Sequence, residues 1–198
     1  MPSLSRVLRV PYLSPASDVP PAKQTAVIVP VPAADPLVDR HRRHLDAAAS
    51  WGVPAHVSVL YPFVEPARVD DQLIATLAAA LGQVAAFECR FARTRWFRRD
   101  VLWLDPEPAG SFRNLTASVW AAFPDHAPYG GAHDEVIPHL TIGESRLGSL
   151  SVVREAERDV QTGLPLSTRI ETILLIAGTQ APGSWRVLHE FRLGAAKS

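Results

Sequence analysis

Two short stretches of this chain share one pattern, His56-Val57-Ser58-Val59 and His139-Leu140-Thr141-Ile142, and they lie 83 residues apart. Each contains a histidine, an apolar residue, a hydroxyl residue and a second apolar residue. If each stretch is a β-strand, side chains two residues apart point to the same face, so the histidine lies beside the hydroxyl group. Chance gives about 0.2 matches to this pattern in a chain of this composition, so two matches indicate a repeated functional element.

The composition limits the class of protein. The chain has 198 residues, 47% of them hydrophobic and 20% charged, which is typical of a globular protein that buries a core. Its length fits one large domain or two small fused lobes. Lys plus Arg and Asp plus Glu each number 20, so no general basic field attracts nucleic acid, and any such contact must be local.

The single cysteine, Cys89, excludes an internal disulfide framework and suits a reducing cytosol. It lies between Phe87 and Phe91 in an alternating stretch, which predicts a buried structural thiol rather than a nucleophile. No stretch reaches the roughly 18 apolar residues of a membrane span, and no signal-peptide pattern opens the chain. The sequence therefore predicts a cytoplasmic protein that does not contact a membrane.

Strand and helix signals follow one another in the same order in both halves of the chain: strand, helix, histidine strand, helix, hairpin. Residues 1–24 are rich in serine and proline and predict an irregular arm. The predicted elements are a strand at 25–31, a helix at 35–50, the strand of His56, a helix at 70–81, strands at 86–92 and 101–104 joined by a turn at 93–100, a helix at 111–123, the strand of His139, a helix at 149–161, and strands at 168–176 and 185–193 joined as a closing hairpin.

This order predicts an α+β fold. We expect a single bilobal domain over residues 25–198, with lobes at about 25–95 and 96–198 that can exchange elements. The lobes are related by a pseudo-two-fold, and their antiparallel-rich sheets flank a central cleft with the helices outside. Each histidine strand then faces the shared cleft.

The same stretches carry a family resemblance. His56-Val57-Ser58-Val59, followed by Tyr61-Pro62-Phe63, resembles the first motif of the 2H phosphoesterase superfamily, in particular the 2′-5′ RNA ligase-like and cyclic phosphodiesterase proteins. Pro138-His139-Leu140-Thr141-Ile142 resembles the second motif. The resemblance covers the chain from about residue 25 to its end, and position 58 holds serine where threonine is common. It implies a bilobal fold in which both histidines and both hydroxyl residues face one phosphate, with no metal and no cofactor.

The chemistry of phosphodiester cleavage explains why these residue types occur together. A base must deprotonate the attacking water or hydroxyl group, and an acid must protonate the leaving oxygen. Histidine does either near neutral pH, so we expect His56 and His139 to be the catalytic pair. Ser58 and Thr141 donate hydrogen bonds to the phosphate oxygens. The predicted substrate is a small nucleotide or an RNA terminus, bound by a monomer.

Further residues are candidates for substrate binding. Tyr61 follows the first motif and is suited to stack on a base, although a core aromatic is as good an interpretation. Tyr129 and His133 lie in a glycine-containing loop before the second motif, where ordinary loop roles are the alternative. The basic residues of the predicted turn, Arg93, Arg95, Arg98 and Arg99, interleave with Trp96 and Phe97, as in a small nucleic-acid contact or a solvated turn. The basic segment His41–His44 is most simply a solvated helix face.

Three alternatives stay open at the level of sequence. The protein is a phosphodiesterase that opens 2′,3′-cyclic phosphates, a ligase that forms 2′-5′ bonds between RNA ends, or a non-catalytic phosphate binder. Two histidines that only form hydrogen bonds within a core are the structural alternative. A metal site is disfavoured because no Asp, Glu or Cys accompanies the histidines at ligand spacing.

Overall fold

A computed structural model describes residues 20–131 and 136–194 and shows a mixed fold of helices and two antiparallel sheets. The strands are β1 (Gln24–Pro30), β2 (His56–Leu60), β3 (Phe87–Phe97), β4 (Val101–Glu107), β5 (Leu140–Glu144), β6 (Leu166–Ile170), β7 (Thr172–Gly178) and β8 (Arg186–Arg192). The helices are α1 (Asp35–Leu45), α2 (Ala47–Ser50), α3 (Asp71–Gly82), α4 (Ala109–Ala122) and α5 (Leu150–Gln161). Of the predicted arm at 1–24, residues 1–19 lie outside the described residues.

The two sheets have matching strand orders, β2-β1-β7-β8 and β5-β4-β3-β6. In each sheet the strand of one histidine motif, β2 or β5, lies at the edge. Its neighbour, β1 or β4, pairs on the other side with a strand from the opposite half of the chain, which is β7 in the first sheet and β3 in the second. The predicted α+β fold with two antiparallel sheets is therefore confirmed. The lobe boundary predicted near residue 95 falls inside β3, and the division into lobes stays a prediction.

Strand β1 is buried along its central residues because both of its faces are covered. Val27 and Val29 belong to the core under the helices, whereas Ala26 and Ile28 lie on the opposite face. Its register pairs Val29 with Val57 and Ile28 with Ser58. The run of β-branched residues predicted a buried strand here, and its central place in the sheet is the physical reason.

Helices α1, α3, α4 and α5 contribute to the core on the sheet faces opposite the two motif histidines, whereas Ala48 of α2 packs on the face of His56. Helix α4 lies under β2, where the Thr116 hydroxyl donates to the Val59 carbonyl at 3.0 Å. Helices α1 and α5 pack on β5. Capping fixes where two of the helices begin, since Asp70 accepts from the Leu73 N–H and Ser149 from the Val152 N–H.

The predicted helix at 35–50 is wrong at one position, because Asp46 interrupts it. Asp46 has an extended backbone (φ −126°, ψ 117°), and its carboxylate accepts from the Ala48 N–H at 2.9 Å, so it caps α2 instead of continuing α1. Aspartate competes for backbone donors in this way, which makes it a poor interior helix residue.

The predicted strand at 168–176 is two strands in different sheets. Leu166–Ile170 pairs with β3, and Thr172–Gly178 pairs with β1 and β8, with Glu171 at the crossing between them. No glycine or proline marks the crossing, so local sequence gives no signal for it. The distant pairing partners decide where each strand ends.

The predicted turn at 93–100 and the predicted helix start at Ser111 are also wrong. Strand β3 continues to Phe97, so Arg93 and Arg95 lie on a strand and only Arg98–Asp100 form the turn, with Arg98 at φ 53°. Helix α4 begins at Ala109, immediately after a proline.

Two smaller features complete the fold. Cys89 is buried, as predicted, and burial raises the pKa of its thiol to about 12, so it is not a nucleophile at neutral pH. Within residues 20–131 and 136–194, no helix combines the length and the apolar character needed to cross a bilayer.

Candidate active site

The two motif histidines have the same local geometry. His56 opens β2, and its Nδ1 lies 2.8 Å from the carbonyl oxygen of Pro54. His139 directly precedes β5, and its Nδ1 lies 2.8 Å from the carbonyl oxygen of Ile137. A carbonyl only accepts, so Nδ1 carries a hydrogen in both rings and Nε2 is the nitrogen left for a ligand.

The two hydroxyl residues meet in one cavity, although they belong to different sheets. Ser58 and Thr141 line a cavity of about 160 Å³ together with His56 and Tyr61. The edge strands β2 and β5 contact each other across it. The structure therefore brings together His56, Ser58, Thr141 and Tyr61, and His139 lies two residues from Thr141.

One wall of the cavity is apolar and aromatic. The rings of Tyr61 and Trp185 lie 6.3 Å apart between centroids, tilted by 59°. The Tyr61 hydroxyl donates to Gln24 Oε1 at 2.9 Å, so the ring and not the hydroxyl group is presented to a ligand. The remaining apolar side chains of this wall include Ala26, Ile28, Trp51, Val53 and Ile176.

A second aromatic group surrounds His139. Phe97 and Trp103 stack with their centroids 4.9 Å apart and an interplanar angle of 25°. The His139 ring meets Phe97 edge-on at 4.9 Å and Trp103 at 5.9 Å. These contacts fix the orientation of the imidazole, because a ring held edge-on against a stacked pair cannot rotate freely.

The electrostatic surroundings lower the pKa of both histidines. Burial of the partly exposed His56 ring and repulsion by Arg42 lower its pKa to about 4, against the opposing effect of the Pro54 carbonyl. Burial also lowers the pKa of His139, whereas the Ile137 carbonyl and the Asp46 carboxylate act to raise it. Both rings are therefore neutral at neutral pH before a ligand binds.

Sequence reasoning missed Arg42 and Asp46, which lie beside this cavity. The segment His41–His44 was expected to be a solvated face, but the Arg42 side chain is only 2% exposed and forms an ion pair with Asp46. A signal for this was present, since Arg42 lies four residues after Val38 and three before Leu45, on the apolar face of α1. The cavity residues Trp51, Val53 and Trp185 were also missed, because their positions depend on tertiary pairing.

The other residues predicted to contact a ligand are either paired with carboxylates or lie outside the described part of the structure. Arg93 and Arg95 both bind Asp105, at 2.8 and 2.6 Å, and Arg93 also binds Glu107. Their charges are thus balanced by carboxylates. Tyr129 falls in a short 3₁₀ turn at Pro128–Gly131, but its side chain lies outside the described part of the structure, as does all of His133.

The described residues contain no group of three or more His, Cys, Asp or Glu side chains that is suited to hold a metal ion. The polar groups in or next to the cavity are two imidazoles, two hydroxyl groups and the ion-paired carboxylate of Asp46. This set is suited to hydrogen bonding and proton transfer at an anion.

The chain is similar in sequence to one protein family and in fold to several solved structures. A sequence model of the 2′-5′ RNA ligase superfamily matches residues 29–181, which include both histidine motifs. Among curated proteins, none matches the sequence. The similar solved structures are 15–17% identical to this chain in sequence, so their likeness shows the fold alone.

The match to this chain covers almost the whole length of each similar solved structure. E. coli LigT complexed with 3′-AMP has a TM-score of 0.54 and 17% identity, over 87% of this chain and 99% of LigT. LigT complexes with phosphate and with NADP+ each have a TM-score of 0.51, at 17% and 16% identity, over 87% of this chain and 98% of LigT. The protein TT0787 of Thermus thermophilus has a TM-score of 0.55 and 15% identity, over 88% of this chain and 100% of that protein.

Proposed function

Because the chain belongs to the 2′-5′ RNA ligase superfamily, whose fold and motifs are those of 2H phosphoesterases, we propose that it is a phosphodiesterase that hydrolyses the 2′,3′-cyclic phosphate of RNA ends or nucleotides without a metal ion. One observation carries this proposal. Two histidines with Nδ1 bound to a carbonyl, and with Nε2 left for a ligand, accompany two hydroxyl groups that line one cavity. This is the donor and acceptor set that in-line displacement at a phosphodiester requires.

The reaction follows from these groups. The Ser58 and Thr141 hydroxyls donate to the phosphate oxygens and stabilise the charge that develops there. The Nε2 of one histidine accepts a proton from water as the water oxygen bonds to phosphorus. The Nε2 of the other donates a proton to the ribose oxygen as its bond to phosphorus breaks. The bound phosphate anion favours protonation of one ring, although both are neutral in the free protein.

The aromatic side chains of the cavity wall support a nucleotide as the ligand. Tyr61 and Trp185 form an aromatic surface next to Ser58, which suits a nucleobase. E. coli LigT, which shares the fold, has been crystallised with 3′-AMP, phosphate and NADP+. We therefore propose a nucleotide or an RNA terminus as the substrate, bound by a monomer. A cytoplasmic location is proposed from the single, buried cysteine.

The experiment that tests this proposal is hydrolysis of the four 2′,3′-cyclic nucleotides in excess EDTA. We expect turnover to persist in EDTA and to fall by roughly 10²–10⁴ in His56→Ala and in His139→Ala, since each removes one proton-transfer group. His44→Ala changes an exposed histidine of α1 and is the matched control, with wild-type turnover. Turnover that stops in EDTA, or that survives both motif substitutions, contradicts the proposal.

In ligation, a ribose 5′-hydroxyl attacks the cyclic phosphate in place of water, and the bond from phosphorus to the ribose 3′-oxygen breaks as that oxygen takes a proton from the second histidine. It requires a surface for two RNA ends. Two of the arginines predicted to contact nucleic acid, Arg93 and Arg95, are paired with Asp105 instead. This pairing favours hydrolysis. A 2′-5′ joining assay with two RNA ends tests the ligase alternative, and binding without turnover would indicate a non-catalytic phosphate binder.

A further inference from the structure

Arg42 and Asp46 form a buried ion pair beside the cavity. Their side chains are 2% and 4% exposed, and the Arg42 Nε and Nη2 atoms lie 3.0 and 2.9 Å from Asp46 Oδ2. A buried ion pair of this kind is often no more stabilising than apolar residues of the same volume, because both charges lose their hydration. Its presence at this position is therefore better explained by an effect on the site than by stability.

The pair is connected to both halves of the site. The Arg42 Nη2 donates to the Val53 carbonyl at 3.3 Å, and the next residue, Pro54, supplies the carbonyl that holds His56. Asp46 lines the cavity, and the N–H of the next residue, Ala47, donates to Glu144 Oε1 on β5 at 3.4 Å. The cation is thus connected to the backbone that holds His56, and the carboxylate reaches the cavity next to the strand of the second motif.

We propose that Arg42 and Asp46 are positioning residues that give the two histidines different roles, so that His56 takes the proton from the attacking water and His139 protonates the leaving ribose oxygen. This inference rests on the proposed function of the site. In one turnover, the oxygen of water bonds to phosphorus and its proton moves to His56 Nε2. The phosphorus–ribose oxygen bond breaks, and the ribose oxygen takes the proton of His139 Nε2. Exchange of protons with solvent then restores both rings.

The charges act on the rings in opposite directions. Repulsion by Arg42 adds to burial in lowering the pKa of His56, which keeps this ring neutral and able to accept a proton. Attraction by Asp46 opposes the effect of burial on the pKa of His139, so the second ring is the one that becomes protonated when a phosphate anion binds. A base and an acid in one site require this separation.

Within residues 20–131 and 136–194, the other charged groups around the rings do not have this arrangement. Glu144 on β5 is paired with Arg146, Asp105 on β4 is paired with Arg93 and Arg95, and Arg113 on α4 is exposed. The two motif histidines also repel each other when both are protonated. The charged residues of α5, and those of α1 other than Arg42, are partly or fully exposed. Arg42 is thus the buried cation near His56, and Asp46 the buried anion near His139.

The first test is NMR titration of the two imidazoles, which requires no substrate. We expect a higher pKa for His139 than for His56 in the wild type. Asp46→Asn lowers the pKa of His139 by about one unit, and Arg42→Met raises the pKa of His56 by a similar amount. The double variant Arg42→Met/Asp46→Leu removes both charges and keeps an apolar, packed interior, so it folds even if a single variant does not.

The double variant gives the decisive outcome. We expect the difference in pKa between His56 and His139 to shrink at least threefold in it, with stability equal to or above that of the wild type. The matched control is Arg40→Met/Asp159→Asn, which removes the ion pair between Arg40 of α1 and Asp159 of α5 and leaves both titrations unchanged. An unchanged difference in the double variant overturns the proposal, because a merely structural brace would not set these pKa values.

The second test assigns the roles with two leaving groups. A nucleoside 4-nitrophenyl phosphodiester releases nitrophenolate, which leaves without protonation, whereas a 2′,3′-cyclic nucleotide requires an acid. We expect His139→Ala and Asp46→Asn to lose at least tenfold more activity on the cyclic nucleotide than on the nitrophenyl ester. His56→Ala loses activity equally on both. The reverse pattern overturns the assignment of roles. If the wild type cleaves neither compound, the proposed function fails, and the titration still decides the effect of the ion pair.

Discussion

The two halves of the site share a backbone frame and differ in what surrounds it. In both, the imidazole Nδ1 lies 2.8 Å from the carbonyl two residues earlier, and a hydroxyl residue follows two positions later. Around His56 the surroundings are an apolar wall and a buried guanidinium. Around His139 they are a stacked pair of aromatic rings and a nearby carboxylate. A repeated frame can therefore supply two different chemical groups, because the neighbours and not the motif distinguish them.

Substituting both motif histidines at once tests whether they act in the same chemical step. The double variant His56→Ala/His139→Ala is expected to lose roughly 10²–10⁴ in kcat, about as much as the more damaged single variant. Groups that act in the same step are strongly non-additive. Single-turnover kinetics on a 2′,3′-cyclic nucleotide measure this. If the two losses multiply instead, the histidines act in separate steps.

Removing the hydroxyl group from each half compares the two residues that donate hydrogen bonds to the phosphate. We expect Ser58→Ala and Thr141→Val each to lower kcat by about 10²-fold, which is typical for one lost donor to a developing negative charge. The controls are Ser58→Thr and Thr141→Ser, which keep the hydroxyl group and most of the activity. Steady-state kinetics give the result. An increase in KM with an unchanged kcat in either variant would show that the hydroxyl group binds the substrate and the transition state equally.

The pH dependence of stability compares the surroundings of the two rings. The pKa of His56 is lowered from 6.5 to about 4, so between these pH values the unfolded chain binds more protons than the folded chain. Stability is therefore full above pH 6.5 and falls as the pH drops toward 4, by about 3 kcal/mol at most and by less if solvent reaches the ring. Denaturant titrations at several pH values measure this.

The matched variants for that measurement are His56→Asn and His139→Asn. We expect His56→Asn to remove most of the pH dependence over this range. His139→Asn acts in the same direction but less, because Asp46 opposes the lowering of the pKa of His139, whereas Arg42 adds to the lowering of the pKa of His56. A larger effect from His139→Asn would show that the pKa of His139 is lowered more than that of His56, which contradicts this prediction.

The aromatic wall next to His56 is expected to have the smallest effect. Trp185→Ala raises KM for a cyclic nucleotide by about tenfold with little change in kcat, since stacking is worth on the order of 1–3 kcal/mol per base. Tyr61→Phe keeps the ring and removes only the hydroxyl bond to Gln24, so it is the control with an unchanged KM. An unchanged KM in Trp185→Ala would place the base elsewhere, next to Phe97 and Trp103.

Local sequence predicted the frame of the site but not its surroundings. The two motifs, the order of strands and helices, and the meeting of Ser58 with Thr141 follow from periodicity and from the resemblance. The break at Asp46 and the crossing at Glu171 did not, because capping and distant strand pairing decide them. Burial of Arg42 was missed for a different reason, since a charged residue inside a basic segment is normally solvated. Trp185 lines the cavity only because β7 and β8 return to the first sheet.

That return of β7 has a consequence for synthesis of the chain. Strand β7 pairs with β1 through residues as distant as Val27 and Leu175, and Ile28 and Ile176 line the same cavity. During translation, one edge of β1 therefore stays unpaired until residues 172–178 have left the ribosome. Such long-range closure is slow compared with local hairpin formation. The nascent chain must keep that edge from pairing with other chains, and the ability to bind a ligand is acquired only after Ile176 and Trp185 have been synthesised.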